Sequence, residues 1–290
     1  MPRPKKVDSA KPFIMGYFQT SQQKIFTYSD LNDVLLNMRD EWNLAQSMGL
    51  RQFVTFLVKE TEFSEERLKF PSRTLSRYCW GPFNSFELAM SLRPNGYLSH
   101  QTAAYLNDLT TELPEDVYVN EEQYLRSSES NLQQAKIDFA FSRSPRVSNN
   151  RIRLGSHTYC ILNGMNTGEA GVENRLITGT GIRVTNIERT LIDMVVRPIY
   201  SGGPTKVLEA YQLAAGRMST RIMADILRSI GYVYPYHQAI GFYLDKSGKY
   251  SEAEIKIFKD IERPFKFYLA HKMNDIDYSP DWNIYYPKYL

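Results

Sequence analysis

The chain has 290 residues, of which 42% are apolar and 13% aromatic, which is ample for a buried core and excludes wholesale disorder. No apolar run approaches the roughly 20 residues that span a bilayer, and the basic opening segment lacks the apolar stretch of a secretory signal. Cys79 and Cys160 lie far apart without metal-ligand spacing. We therefore expect a cytoplasmic protein with no membrane partner, no metal and no cofactor.

The charge of the chain is unevenly distributed. Residues 1–80 contain 12 Lys and Arg against 9 Asp and Glu, a balance of +3 that equals the formal net charge of the whole chain. All of the excess positive charge therefore lies in the N-terminal quarter. A difference of three charges does not by itself identify a nucleic-acid partner.

Three amphipathic helices and a β-hairpin are predicted in the first 80 residues. The first helix is predicted to start near Ser9, the second follows a capping signal at Thr27, and the third covers residues 47–59. Two strands, near residues 67–70 and 75–80, flank a proline-containing turn. Three helices followed by a hairpin is the element order of a winged helix-turn-helix.

The third predicted helix has a polar face of the kind that reads DNA. An α-helix fits the major groove, and short polar or basic side chains on its outer face reach base edges and phosphates. The predicted DNA-binding residues are Ser47, Arg51, Gln52, Thr55 and Lys59 on the helix, with Lys69, Arg73 and Arg77 on the hairpin. The pattern is equally compatible with a solvated helix beside an ordinary hairpin.

A second domain is predicted to follow Gly81-Pro82, which places the two domains at residues 1–81 and 82–290. The predicted elements are a short helix to Leu92, a helix over 99–109, a strand at 117–119, and β-like segments at 137–142, 151–162 and 181–186. From about residue 187 the pattern is mostly helical. The fold class predicted for the whole chain is α/β (α+β).

Several segments in order resemble one known family. They are GYLSHQTAAYLNDLTTELPEDVYV (96–119), IRVTNIERTLIDMVVRP (182–198) with the following Ser201-Gly202-Gly203, and DWNIYYPKYL at the end of the chain. This set is similar to the AbiEi family of type IV antitoxins. FTYSDLNDVL and RYCWGPFNSFELAMSLRP, nearer the N-terminus, resemble the long form of that family, so the resemblance covers nearly the whole chain.

The resemblance implies an N-terminal winged helix-turn-helix that binds inverted repeats in its own promoter and represses transcription. It also implies a mixed α/β antitoxin domain, with a helical C-terminal part, that counteracts a nucleotidyltransferase-like toxin in abortive infection by phage. The implied partners are double-stranded promoter DNA and that toxin, with direct contact to the toxin left open. We expect a monomer or weak dimer that assembles on DNA.

Ser99-His100 raises the question of a catalytic site. A serine nucleophile and its base must meet at about 2.6–3.2 Å, and adjacency in sequence does not provide this. A serine before Gln101-Thr102 is what a helix N-cap requires, so we favour a cap over catalysis. Because the resemblance implies that some relatives modify their toxins covalently, Ser99 is the hydroxyl to test first.

Arg183 and Arg189 are candidates for a basic surface that faces a toxin or RNA. We favour the alternative that a helix starts at Thr185 or Asn186 and that Arg189 pairs with Asp193 on this helix. Residues 201–206, SGGPTK, lack P-loop spacing and predict a loop before a helix. The histidines form no cluster, and the acidic residues near His271 have no metal-binding spacing. No catalytic residue is assigned.

The sequence thus predicts a non-enzymatic regulator, with Ser99, His100, Arg183 and Arg189 on the surface of the antitoxin domain. Two alternatives remain. One is an enzyme that modifies the toxin, for example by phosphorylation, and the other is an adaptor whose winged domain binds protein.

Overall fold

The computed structural model describes residues 6–124, 132–177 and 179–290, and it has an α/β fold of helices and mixed sheets. The N-terminal part contains α1 (Lys6–Thr20), β1 (Ile25–Phe26), α2 (Tyr28–Met38), α3 (Leu50–Glu60), β2 (Phe63–Lys69) and β3 (Thr74–Trp80). The three strands form an antiparallel sheet in the order β1-β3-β2. The three helices and the hairpin follow one another in the predicted order, whereas strand β1 was not predicted.

Local signals explain where the first helices start, with one correction. Thr27 and Asp30 form the predicted capping box of α2, in which each side chain bonds the other residue's backbone N–H. Ser9 was predicted as a helix start, but it lies inside α1, which already includes Lys6. Pro12 therefore lies inside α1, beyond its first turn.

The middle of the chain forms a six-stranded mixed sheet in the order β6-β7-β5-β4-β9-β8. Strands β5 and β7 are parallel, as are β4 and β9, and the other neighbours are antiparallel. The elements are α4 (Ser85–Ser91), β4 (Tyr97–Leu98), α5 (His100–Leu106), β5 (Asp116–Glu122), α6 (Gln134–Phe141), β6 (Arg151–Leu154), β7 (His157–Gly164), β8 (Val172–Ile177) and β9 (Thr180–Thr185).

One prediction for this middle region is wrong, and one strand was missed. The β-like segment 137–142 is helical, because Ile137 and Phe141 are buried four residues apart on one face of α6. Strand β8 was not predicted, since it lies at the sheet edge and none of its side chains is buried, which removes the apolar alternation.

The rest of the chain is helical and ends in a small three-stranded sheet. Its elements are α7 (Ile187–Val196), a 3-10 turn (Pro198–Tyr200), α8 (Pro204–Ala214), α9 (Thr220–Ile230), α10 (Tyr236–Ser247), α11 (Glu252–Lys259), β10 (Phe267–Tyr268), β11 (Ile276–Ser279) and β12 (Ile284–Pro287). Gly241 in α10 is required by packing, because a Cβ there would lie 1.9 Å from the Trp282 ring.

The hairpin β2-β3 packs against two apolar clusters. Phe63, Tyr78 and Trp80 belong to the cluster of α1–α3, where the Phe18 and Phe63 rings lie 4.7 Å apart. Leu68 and Phe70 on the hairpin instead pack with apolar residues of α4, α5 and the six-stranded sheet. The hairpin therefore contributes to the cores on both sides of the predicted boundary at residue 81.

Candidate nucleic-acid interface and a buried polar centre

Helix α3 exposes the polar face that the sequence predicted. Its apolar side is buried through Phe53, Val54, Phe56 and Leu57, which fixes the phase of the helix. The five residues predicted on this helix are all exposed: Ser47, Arg51, Gln52, Thr55 and Lys59. They line an open groove beside α1. Ser47 is a correction, because α3 begins at Leu50 and Ser47 lies in the turn before it.

The cations of this face are free of carboxylate partners. Among the described residues, neither Arg51 nor Lys59 forms an ion pair, whereas the neighbouring Glu60 lies 3.8 Å from Lys11. The Gln52 side-chain oxygen accepts from the Gly49 N–H at 3.3 Å and helps to cap α3, so its amide N–H groups stay available. The face can therefore donate hydrogen bonds to an acceptor-rich ligand.

Two of the three cations predicted on the hairpin are exposed to solvent. Lys69 and Arg73 are exposed and, within the described chain, unpaired. Arg77 is a correction: it is 7% exposed, and its Nε donates to the Ser91 carbonyl at 3.0 Å. Burial lowers the pKa of Arg77. Its side chain turns toward α4, because alternate residues of a strand face opposite sides of the sheet.

Arg189 is a second correction, since it lies at a buried polar centre instead of on a basic surface. It is 3% exposed, and its Nε donates to Asp193 Oδ1 at 2.8 Å. Burial alone would lower the pKa of Arg189, but Asp193 and Tyr97 together raise it above its ordinary value. The predicted pairing with Asp193 is confirmed, and Asn186 caps the helix as expected.

The other guanidinium nitrogens of Arg189 connect α7 to the sheet and to a loop. Nη2 donates to the Tyr97 hydroxyl at 3.1 Å, and Nη1 donates to Thr167 Oγ1 at 2.9 Å and to the Ala170 carbonyl. A Cβ at Gly171, which has a φ of 74°, would lie 2.6 Å from the Arg189 Cβ, so glycine is needed there.

The Tyr97 hydroxyl extends this centre into strand β5. It accepts from the Asn120 side-chain amide at 2.7 Å and donates to Glu122 Oε1 at 3.0 Å. Burial would raise the pKa of Glu122, but hydrogen bonds from Thr167 and Tyr97 hold it below its ordinary value. Sequence reasoning missed Tyr97, Asn120 and Glu122, because they come from two strands whose pairing cannot be seen in the sequence.

Ser99 and His100 are also buried, which corrects their assignment to a surface. Ser99 occupies the N-cap position of α5, but its side chain makes no cap hydrogen bond. Its Oγ instead lies 2.9 Å from Nδ1 of His100, which has a left-handed backbone φ of 53°. The expectation that adjacent residues would not meet is therefore wrong, because this backbone conformation brings the two side chains together.

The environment of His100 keeps the imidazole neutral. Burial lowers the pKa of His100 to about 4, although the charge of Asp193 opposes this shift. The ring packs edge-on against Tyr200 at 5.3 Å and also contacts Tyr118. An unprotonated Nδ1 can accept a hydrogen bond from the Ser99 hydroxyl, but both residues are buried.

Arg183 is half-buried and contacts the carboxylate of Glu169, so it does not present a free charge.

Within the ranges that the structure describes, no three His, Cys, Asp or Glu side chains are placed to share a metal ion. Cys79 and Cys160 are free and buried, and burial raises the pKa of their thiols to about 12 and about 11. None of the helices in the described ranges combines the length and apolarity that crossing a bilayer requires.

Comparisons with known proteins add a fold relationship. No protein-family model and no curated protein matches this chain. Among solved structures it is similar to the RV2827C protein from Mycobacterium tuberculosis, with a TM-score of 0.60 and 12% sequence identity. The superposition covers 96% of this chain and 91% of that chain. At this identity the likeness is one of fold alone, and it extends over both the helix-and-hairpin part and the larger α/β part.

Proposed function

We propose that this protein is a DNA-binding transcriptional regulator that represses its own promoter as the antitoxin of a type IV toxin–antitoxin pair. One observation carries the DNA-binding half. Helix α3 exposes Arg51, Gln52, Thr55 and Lys59 on a single face, and its cations have no acidic partner in the described chain.

The chemistry of this face suits the major groove. Arginine forms paired hydrogen bonds with guanine and glutamine with adenine, so Arg51 and Gln52 are the residues assigned to base edges. Lys59, with Lys69 and Arg73 on the hairpin, is assigned to phosphates, where cations release condensed counterions. Base contacts set the sequence preference, whereas phosphate contacts set the salt dependence.

Binding to a promoter fragment over a series of salt concentrations tests this half. Arg51→Ala should weaken binding to the operator by about 1–3 kcal/mol and relax the preference at one base pair. Arg73→Ala should weaken binding to all sequences similarly and reduce the salt slope by about one. If the wild type shows no sequence preference, or if both substitutions act identically, the assignment of α3 as the reading helix is wrong.

The antitoxin half of the proposal is supported by the resemblance of the segments that form α5, β5, β9 and α7 to AbiEi proteins. Co-expression with a nucleotidyltransferase-like protein encoded next to this one tests it. Arg51→Ala with Gln52→Ala should abolish repression and leave toxin neutralisation intact. Failure of the wild type to relieve toxicity would remove the antitoxin role and leave a regulator.

An enzymatic role is the second candidate, favoured by one contact, the 2.9 Å approach of Ser99 Oγ to His100 Nδ1. Burial of both residues opposes it, because a hydroxyl that modifies another protein must reach that protein. Incubation of the toxin with this protein and ATP, followed by intact mass measurement, separates the two roles. A mass increase that Ser99→Ala abolishes would establish modification, and an unchanged mass would exclude phosphorylation by this chain.

An adaptor role for the N-terminal part predicts a different result in the same DNA assay. If α3 binds protein, the promoter fragment should not be retained at any salt concentration. Substitutions on the α3 face would then change neutralisation and leave promoter activity unaffected.

A further inference from the structure

A pocket of about 370 Å³ lies where the C-terminal helices meet the last sheet. It is formed by the end of α7, the 3-10 turn after it, the start of α8, and the loop over residues 270–274. Its volume is at the small end of the roughly 300–1,000 Å³ that is typical of small-ligand sites. None of the predicted DNA-binding residues lines it.

The polar lining of this pocket is cationic. Arg197 and Lys272 both line it, both are exposed, and neither has an ion-pair partner in the described ranges. No Asp or Glu is among the described residues that line the pocket, and the nearby Asp275 is paired with Lys288 at 3.0 Å. Two cations that line one pocket, with no carboxylate among its described lining residues, favour an anionic occupant.

The rest of the lining is apolar and partly open to solvent. Its apolar residues include Val196, Pro198, Ile199, Met273 and Tyr289. Ile199 is 51% exposed and Tyr289 is 70% exposed. Apolar side chains around a concave site bind the flat or apolar body of a ligand. The side-chain amide of Asn274 adds a donor and an acceptor to the same lining.

The cationic loop is held in place by contacts beneath it. The Lys272 backbone has a left-handed φ of 46°, and its N–H donates to the Phe141 carbonyl at 2.7 Å. His271 stacks on the Phe141 ring at 4.3 Å, and its Nδ1 lies 3.1 Å from the Ala140 carbonyl. Because α6 anchors the loop, the pocket is formed before any ligand arrives.

We propose that this pocket binds a nucleoside monophosphate. Arg197 and Lys272 hold the phosphate, the walls at Pro198, Ile199 and Tyr289 contact the base, and the Asn274 amide bonds the base edge. The volume accommodates one nucleotide unit, and a lining that combines two cations with apolar side chains suits a ligand with a charged group and a flat apolar body. The proposal does not depend on DNA binding by α3.

Isothermal titration calorimetry of the full chain tests the proposal with adenosine monophosphate, adenosine, inorganic phosphate and indole-3-acetate as probes. Adenosine lacks the anion, phosphate lacks the apolar body, and indole-3-acetate is an aromatic carboxylate. We expect one adenosine monophosphate per chain, bound at least about tenfold more tightly than any other probe. This difference corresponds to one charge-assisted hydrogen bond.

Arg197→Gln and Lys272→Gln should each weaken binding of adenosine monophosphate by about tenfold. Arg221→Gln is the matched control and should leave binding unchanged, because Arg221 is exposed on α9, does not line the pocket and has no ion-pair partner among the described residues. Thermal unfolding of each variant verifies that it folds. Absence of binding, equal affinity for phosphate or indole-3-acetate, or an equal effect of Arg221→Gln would overturn the proposal.

Discussion

Helices α3 and α7 carry similar sequence patterns and have opposite environments. Each has an arginine with a polar or charged residue four positions later on the same side, Arg51 with Thr55 and Arg189 with Asp193. In α3 these side chains are exposed. In α7 every residue from Glu188 to Val195 is buried, including Arg189 and Asp193.

The difference arises from what surrounds each helix. Helix α3 packs one side against α2 and the hairpin and leaves the other side uncovered, so its charges are solvated. Helix α7 contacts α5, α8, α9, α10 and strand β9. A charge on an enclosed helix must find partners within the protein, and Arg189 finds them in Asp193, Tyr97 and Thr167. The same spacing therefore leaves the side chains exposed in α3 and pairs them in the interior in α7.

The largest expected effect is on stability at the buried centre. Arg189→Ala leaves Asp193 as an uncompensated buried charge, and we expect a loss of about 3–5 kcal/mol in the free energy of unfolding. Urea denaturation measures it. The double substitution Arg189→Met with Asp193→Leu removes both charges and should recover much of this loss. A loss below about 1 kcal/mol for Arg189→Ala would mean that the pair is solvated.

The next effect concerns the pH dependence of stability through His100. Its folded pKa of about 4 lies below the unfolded value of about 6.5, so the unfolded chain binds the additional proton between these values. Stability should therefore be unaffected by His100 above pH 6.5 and should fall by about 3 kcal/mol as the pH decreases to 4.

Urea denaturation at several pH values, compared between wild type and His100→Asn, isolates this contribution. Asparagine tolerates the left-handed backbone and does not titrate in this range. The charged groups that act on His100 are Asp193, Arg189 and Arg197, and they are unchanged in the variant. Identical pH profiles for the two proteins would show that His100 is not buried as a neutral ring.

A third effect separates the two arginines of the hairpin. Arg77→Ala leaves the Ser91 carbonyl without its donor and should cost about 1–3 kcal/mol in the free energy of unfolding. Its effect on the salt slope of DNA binding should be negligible. Arg73→Ala should do the reverse, changing the salt slope with little change in stability. A salt slope that decreases equally in both variants would place Arg77 on the DNA.

The smallest effect is expected at Arg183, which is the matched control for Arg189. Its pair with Glu169 lies at the surface, where such pairs contribute about 0–1 kcal/mol. Arg183→Ala should therefore leave the urea midpoint nearly unchanged. A loss as large as that of Arg189→Ala would contradict the contrast between exposed and buried pairs.

Much of the local structure could be predicted from the sequence. The capping box at Thr27, the phase of α3 and the cap at Asn186 depend on neighbours within a few residues. The exposed α3 face followed from the same periodicity. The wrong helix/strand assignment at 137–142 arose because a short apolar alternation fits both states until packing selects one.

The pocket and the buried centre could not be predicted in this way. Arg197 and Lys272 are 75 positions apart in the chain, and no local pattern relates them. Tyr97 and Arg189 meet only because strand β4 pairs with β9, which leads into α7. Contacts of this kind depend on topology.

By itself, the sequence determined the helix starts at Thr27 and Asn186 and the polar face of α3, because these follow from interactions over a few residues. Tertiary structure decided which polar residues are solvated. It enclosed Arg189, turned Arg77 toward Ser91, and placed the Ser99 hydroxyl against His100. The physical reason is that burial is set by what packs over a helix or strand, and the residues that do so are distant in the chain.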